Sequence, residues 1–116
     1  MMHTAQQLLI ERIREKLAGE PVLREVSMFG GHSFMVNEKL LVGALKEGAL
    51  LVHVAPANHA ELLLSPGAGQ AEMGTGRSMG PGWIQVDAAS LEKDDALASW
   101  LGTALEFNRA LTGGGR

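Results

Sequence analysis

Apolar residues at Ala5, Leu8, Leu9, Ile13 and Leu17 recur at intervals of three and four, with Glu11, Arg12, Arg14, Glu15 and Lys16 filling the gaps. That spacing predicts a helix with one core-facing stripe and one solvated, charged face. Thr4-Ala5-Gln6-Gln7 has the Thr-x-x-Gln form of a capping box, which places the helix start there, and Gly19 and Pro21 stop it. From Val26 to Val54 the pattern changes to short aliphatic or β-branched runs, separated by Gly30-Gly31, Asn37-Glu38 and Lys46-Glu47-Gly48. Connections this short cannot carry parallel crossovers, so residues 33–36, 39–45 and 49–54 read as antiparallel neighbours. Residues 27–29 read either as a separate strand or, in the preferred reading, as the start of the first one, bent through the glycine pair as a bulge.

Pro56 suits the first turn of a short helix over residues 58–64, which Ser65-Pro66-Gly67 ends. Six of the 15 glycines fall in residues 67–82, so any strand near residues 71–73 is expected to be brief and at an edge. Residues 83–87 read as a strand. The last helix is the clearest, because Leu97, Trp100, Leu101, Ala104, Leu105, Asn108 and Leu111 fall three and four apart. Ser90 is its expected N-cap, with Glu92, Asp94 and Asp95 at the positive end of the macrodipole. The elements make one α+β domain over residues 1–112, with residues 113–116 a frayed glycine-rich tail. The expected architecture is a two-layer sandwich, a mainly antiparallel sheet with helices on one face, in the order α-β(3)-α-β(2)-α.

The length of 116 residues and an apolar content of 46% fit a single domain with a core of its own. With no cysteine there are no disulfides, thiolate nucleophiles or Cys-ligated metals. No apolar run approaches the ~18 residues needed to cross a bilayer, and the N-terminus has no signal-peptide pattern, so a cytoplasmic location is expected. A net charge of −3 and a pI of 5.8 argue against broad phosphate contacts with nucleic acid.

The four histidines, His3, His32, His53 and His59, form no His-x-His or His-x-x-x-His pair, so no metal spacing is present. His53, between Val52 and Val54, is expected to end on the solvated face of the sheet. No serine has the Gly-x-Ser-x-Gly context of a nucleophile elbow. Gly74-Thr75-Gly76 opens like a phosphate loop, but the chain then runs through Pro81 into a strand and not into a helix N-terminus. Two segments remain, Met28-Phe29-Gly30-Gly31-His32-Ser33-Phe34 and Gly76-Arg77-Ser78-Met79-Gly80. Both join backbone freedom to large side chains, and Arg77 beside Met79 offers a cation and a soft apolar surface suited to partner contact.

These segments resemble the TfoX N-terminal domain family, the amino-terminal module of the TfoX/Sxy competence regulators. The likeness rests on Met28-Phe29-Gly30-Gly31 followed by Phe34-Met35-Val36, then Gly76-Arg77-Ser78-Met79 leading to Trp83-Ile84-Gln85-Val86, and a final helix with Leu97-Ala98-Ser99-Trp100. His32 departs from the aromatic or small residue common there. The resemblance implies a secretion-chaperone-like α+β fold and a stand-alone, non-enzymatic regulatory module. In full-length relatives it is joined to a helical domain and promotes transcription of DNA-uptake genes with the cyclic AMP receptor protein.

The leading expectation is therefore a protein-interaction module without cofactor, acting through an unknown protein partner or as a homodimer, with no direct nucleic-acid or membrane role. Its candidate contact surface is Arg77, Met79 and Trp83 beside Gly30 and Gly31. The alternative is a ligand-binding or enzymatic domain in which Arg77, His53 and His59 converge on a pocket between sheet and helices.

Overall fold

The computed structural model describes residues 4–28, 31–72 and 76–112. Helix α1 spans Ala5–Lys16, and its capping box forms as expected. The Gln7 backbone N–H donates to Thr4 Oγ1 at 3.0 Å, and the Thr4 N–H donates to Gln7 Oε1 at 3.1 Å. Four strands follow, β1 (Leu23–Met28), β2 (Gly31–Val36), β3 (Lys39–Ala44) and β4 (Leu50–His53). A 3₁₀ turn over Pro56–Asn58 leads into the short helix α2 (His59–Leu62), then β5 (Ala68–Gln70) and β6 (Trp83–Val86). A second 3₁₀ turn, Ala88–Leu91, precedes the long helix α3 (Asp94–Thr112).

The six strands form one antiparallel sheet in the order β1-β2-β3-β4-β6-β5. The α+β class holds, but with α-β(4)-α-β(2)-α in place of three leading strands. The expected single strand bent through a bulge is corrected: Met28 pairs with Gly31, so β1 and β2 are separate antiparallel strands and Gly31 begins the second. Phe29 and Gly30 lie outside the described residues. A bulge does occur one hairpin further on, where Phe34 faces Val42 but Met35 faces Leu40. Leu41 is the extra residue, and the shift lets the sequence neighbours Leu41 and Val42 both enter the core.

Phe34, Val42, Val52 and Ile84 run across the sheet in register and meet Leu9, Ile13 and Leu17 from the first helix and Leu97, Trp100, Leu101 and Ala104 from α3. Each large apolar side chain fully buried here contributes roughly 1.5–3 kcal/mol. Leu8 departs from the expected stripe, being 50% exposed. Ser90 also departs: it lies inside the 3₁₀ turn Ala88–Leu91, which Asp87 caps by accepting from the Ser90 N–H at 3.0 Å, and this turn intervenes before α3. Arg12 donates to the Leu91 carbonyl, and Lys16 and Arg12 both reach the Asp94 carboxylate, fastening α1 to the start of α3. Those cations hold the Asp94 carboxyl below the usual range, Lys16 more than Arg12.

Gly31 is required by packing, since a Cβ there would lie 2.8 Å from the Ala44 carbonyl oxygen. At the far side, the β2–β3 turn carries two non-glycine residues with positive φ, Asn37 and Glu38. Asn108, 3% exposed on α3, donates to the Val36 carbonyl at 2.9 Å and accepts from the Asn37 amide at 3.1 Å. The expected tail at residues 113–116 lies outside the described residues.

Candidate functional site

The segment before β6 is where backbone irregularity and exposed chemistry coincide. Beyond β5 the chain continues to pair with it: Glu72 bridges Ser78, and the Met79 N–H donates to the Ala71 carbonyl at 2.9 Å. Residues 73–75 lie outside the described residues. Gly80 and Gly82 then take φ of 90° and 95°, a region that side-chain-bearing residues rarely enter. At Gly82 a Cβ would lie 2.9 Å from the Val54 carbonyl oxygen. The Val54 N–H donates to the Gly82 carbonyl at 2.8 Å, so this turn is tied to the end of β4.

Two side chains clasp the turn. The Gly82 N–H donates to His59 Nδ1 at 2.9 Å, and His59 Nε2 meets Gln70 Oε1 at 2.9 Å. Gln70 Nε2 donates in turn to the carbonyls of Ala71, Gly80 and Trp83 at 3.1–3.2 Å. A backbone N–H can only donate, so His59 Nδ1 is the acceptor and the proton sits on Nε2, a neutral imidazole whose tautomer is set by its neighbours. Sequence reading did not single out Gln70, and no local pattern marks it. The Gly80-Pro81-Gly82 run is the signal that an unusual turn needed holding.

Beside the clasp, His53 and Trp83 are directly paired across β4 and β6, and their rings stack at 3.9 Å with an interplanar angle of 1°. Phe107 of α3 meets the His53 ring edge-on at 5.1 Å, and His53 Nδ1 lies 3.3 Å from the Leu40 carbonyl. The expectation of a solvated His53 is therefore corrected: the imidazole is half-buried between rings, and that burial pushes its pKa below the usual histidine range.

Arg77 is exposed at this end of the hairpin, with Met79 and Trp83 half-buried nearby in sequence. Arg12, Arg14, Arg24 and Arg109 each hold a carboxylate within 4 Å, whereas Arg77 has no such partner among the described residues. Gly31 does not join this surface. It lies next to the row His32, Ala44, Leu50 and Val86, while Trp83 ends the strand at the opposite row. That puts them about 13 Å apart along the strands and about 14 Å across three strand spacings. Gly30 lies outside the described residues.

Among the described residues no hydrogen bond joins Arg77 to His53 or His59, and none of the three lines the cavities described below. Each histidine is spent on separate partners, and two cavities lie elsewhere. One of about 320 Å³ is lined by Leu62, Ser65, Pro66, Ser90 and Trp100, and one of about 440 Å³ by Leu8, Arg12, Ala88 and Glu92, among others. No group of three or more potential metal ligands occurs among the described residues. One carboxylate with two basic partners does occur on the helix-covered side of the β1–β2 hairpin. Glu25 takes two hydrogen bonds from Arg14, at 2.6 and 2.9 Å, and one contact with His32 Nε2 at 2.7 Å. The Arg14 hydrogen bonds, opposed by burial and aided by His32, bring the Glu25 carboxyl down to about 2.

No helix among the described residues is long and apolar enough to cross a membrane. Residues 15–108, most of the chain, match the family model of the TfoX N-terminal domain. No curated protein and no solved structure matches the chain.

Proposed function

This chain belongs to the TfoX N-terminal domain family, and from that premise we propose that it is a non-enzymatic regulatory module that works by binding another protein. The contact surface in this reading is Arg77 with Met79 and Trp83. The supporting observation is Arg77, a guanidinium with no carboxylate partner among the described residues, beside a turn whose backbone is clasped by His59 and Gln70. A cation presented from a held turn keeps its donors free and loses little freedom on binding, while Met79 and Trp83 supply apolar area next to it. The matching partner surface carries a carboxylate bordered by apolar side chains. Gly31, at the other end of the sheet, serves the close approach of β2 to β3 and not the contact.

The test is affinity capture from the native cell with mass spectrometry, comparing the wild type, Arg77→Glu and Lys93→Glu. Lys93 is also exposed, so its variant controls for the same change of charge. Partners lost with Arg77→Glu and kept with Lys93→Glu support the surface, and recovery of an untagged copy of the chain identifies a homodimer. Identical partner sets for all three proteins remove this loop from the proposal.

A further inference from the structure

One bond of the clasp on the turn that follows Arg77, from the Gly82 N–H to His59 Nδ1, uses the lone pair of that nitrogen and so depends on the protonation state of the ring. We propose that neutral His59 holds the turn in its binding shape and that protonating it releases the turn, which makes the contact at Arg77 pH-dependent. The inference rests on the contact surface proposed above and adds its regulation.

The chemistry is local. Protonated imidazole carries N–H on both nitrogens, so the Gly82 N–H, now 2.9 Å from Nδ1, would face another donor. The Nε2 side is indifferent to the change, because it already donates to Gln70 Oε1 at 2.9 Å and continues to do so in the charged ring. The Gly82 contact alone therefore carries the switch. Among the described residues the two ring nitrogens meet only uncharged partners, Gln70 from β5 and Gly82 from the turn. The charged side chains of the same elements, Glu61 on α2, Glu72 after β5 and Arg77 before the turn, are exposed. His53 on β4 is turned to Trp83 and Phe107. No carboxylate is bonded to His59 to compensate a gained proton, in contrast to His32 with its Glu25. The Gly82 carbonyl accepts from the Val54 N–H at 2.8 Å, so with His59 neutral the Gly82 backbone is held through both its N–H and its carbonyl.

The experiment is NMR-detected hydrogen exchange of the Gly82 amide at about pH 8 and about pH 5, the span in which histidine charges, in the wild type and His59→Asn. The asparagine carbonyl oxygen takes the place of Nδ1 as an acceptor that cannot be protonated. The Leu45 amide, bonded to the Ala49 carbonyl in the β3–β4 turn, is the reference for opening of the whole fold. After correction for intrinsic rates, Gly82 protection in the wild type should fall on the order of tenfold relative to Leu45 at the lower pH. In His59→Asn it should hold. Wild-type Gly82 that tracks Leu45 at both pH values overturns the switch, as does an equal loss in His59→Asn. Titration of His53 is common to both proteins and drops out of the comparison. Capture with wild type and Arg77→Glu at the two pH values separates the two claims. A Gly82 response without any Arg77-dependent partner refutes the contact surface alone, and Arg77-dependent capture with an unresponsive Gly82 refutes the switch alone.

Discussion

Replacing Gly80 and Gly82 in turn by alanine separates two costs that usually arrive together. Both glycines have φ near 90°, so each alanine carries the steric penalty of the left-handed region, about 1–2 kcal/mol. Both substitutions also restrict the unfolded chain, a gain of about 0.4–1 kcal/mol that cancels in the comparison. The difference lies in what the new methyl meets. At Gly80 nothing lies within 4 Å, whereas at Gly82 the methyl sits 2.9 Å from the Val54 carbonyl oxygen and 3.4 Å from Pro56 Cγ. The carbonyl belongs to backbone that is bonded back to Gly82 through the Val54 N–H. Relief of the clash therefore stretches that hydrogen bond, worth about 1 kcal/mol, and displaces the Gly82 N–H from His59, worth about the same. Gly80→Ala should cost about 1 kcal/mol net and Gly82→Ala about 3 kcal/mol. For a chain of this size the corresponding falls in Tm are about 4 °C and about 12 °C. Urea unfolding with unchanged m-values reads the two free energies directly. Equal losses, or a larger loss at Gly80, would show that the Val54 contact does not constrain the turn and would remove the physical basis for a held Arg77.

Asn108→Ala should cost about 2 kcal/mol, because it strips the buried Val36 carbonyl of its donor and the Asn37 amide of its acceptor; a thermal melt moved by less than about 2 °C would refute that role. Glu25 has a folded pKa of about 2 against an ordinary 4.5, so its stabilisation is present above pH 4.5 and is lost as pH falls toward 2. Its magnitude is on the order of 2 kcal/mol after discounting for partial exposure. In urea titrations at about pH 6 and about pH 3, Glu25→Gln should lose less stability on acidification than the wild type does, and parallel losses would contradict the assignment. His53 shifts the other way in charge but with the same sense in pH. Burial favours its neutral ring, so the folded state loses stability as pH falls below the ordinary value of 6.5, and His53→Gln should flatten that limb of the stability profile.

Local chemistry made much of the fold readable. Thr4 and Gln7 specify the start of α1 through contacts three residues apart, and the periodicity around Leu97, Trp100, Leu101 and Ala104 marks the buried side of α3. Short connections forced antiparallel neighbours, and all five strand pairings are antiparallel. The glycine pair was harder, because one bent strand and two separate strands fit the same residues. Only the Met28 to Gly31 pairing, which depends on Val26, Ser27 and their partners across the hairpin, decides between them. Leu8 followed the helical stripe yet sits at its margin, since the stripe's width is set by what α1 meets and not by α1 itself.

The residues of α1, α3 and the central strands determined an α+β domain without outside help, since their information is carried by spacings of two, three and four positions that neighbouring atoms read. Tertiary structure alone decided that His59, Gln70 and Gly82 form one clasp, that His53 lies between the rings of Trp83 and Phe107, and that Gly31 is remote from Trp83. The clasp joins positions 11 and 23 residues apart. Separations of that size are closed by the order of strands in the sheet, and no periodicity along the chain encodes that order.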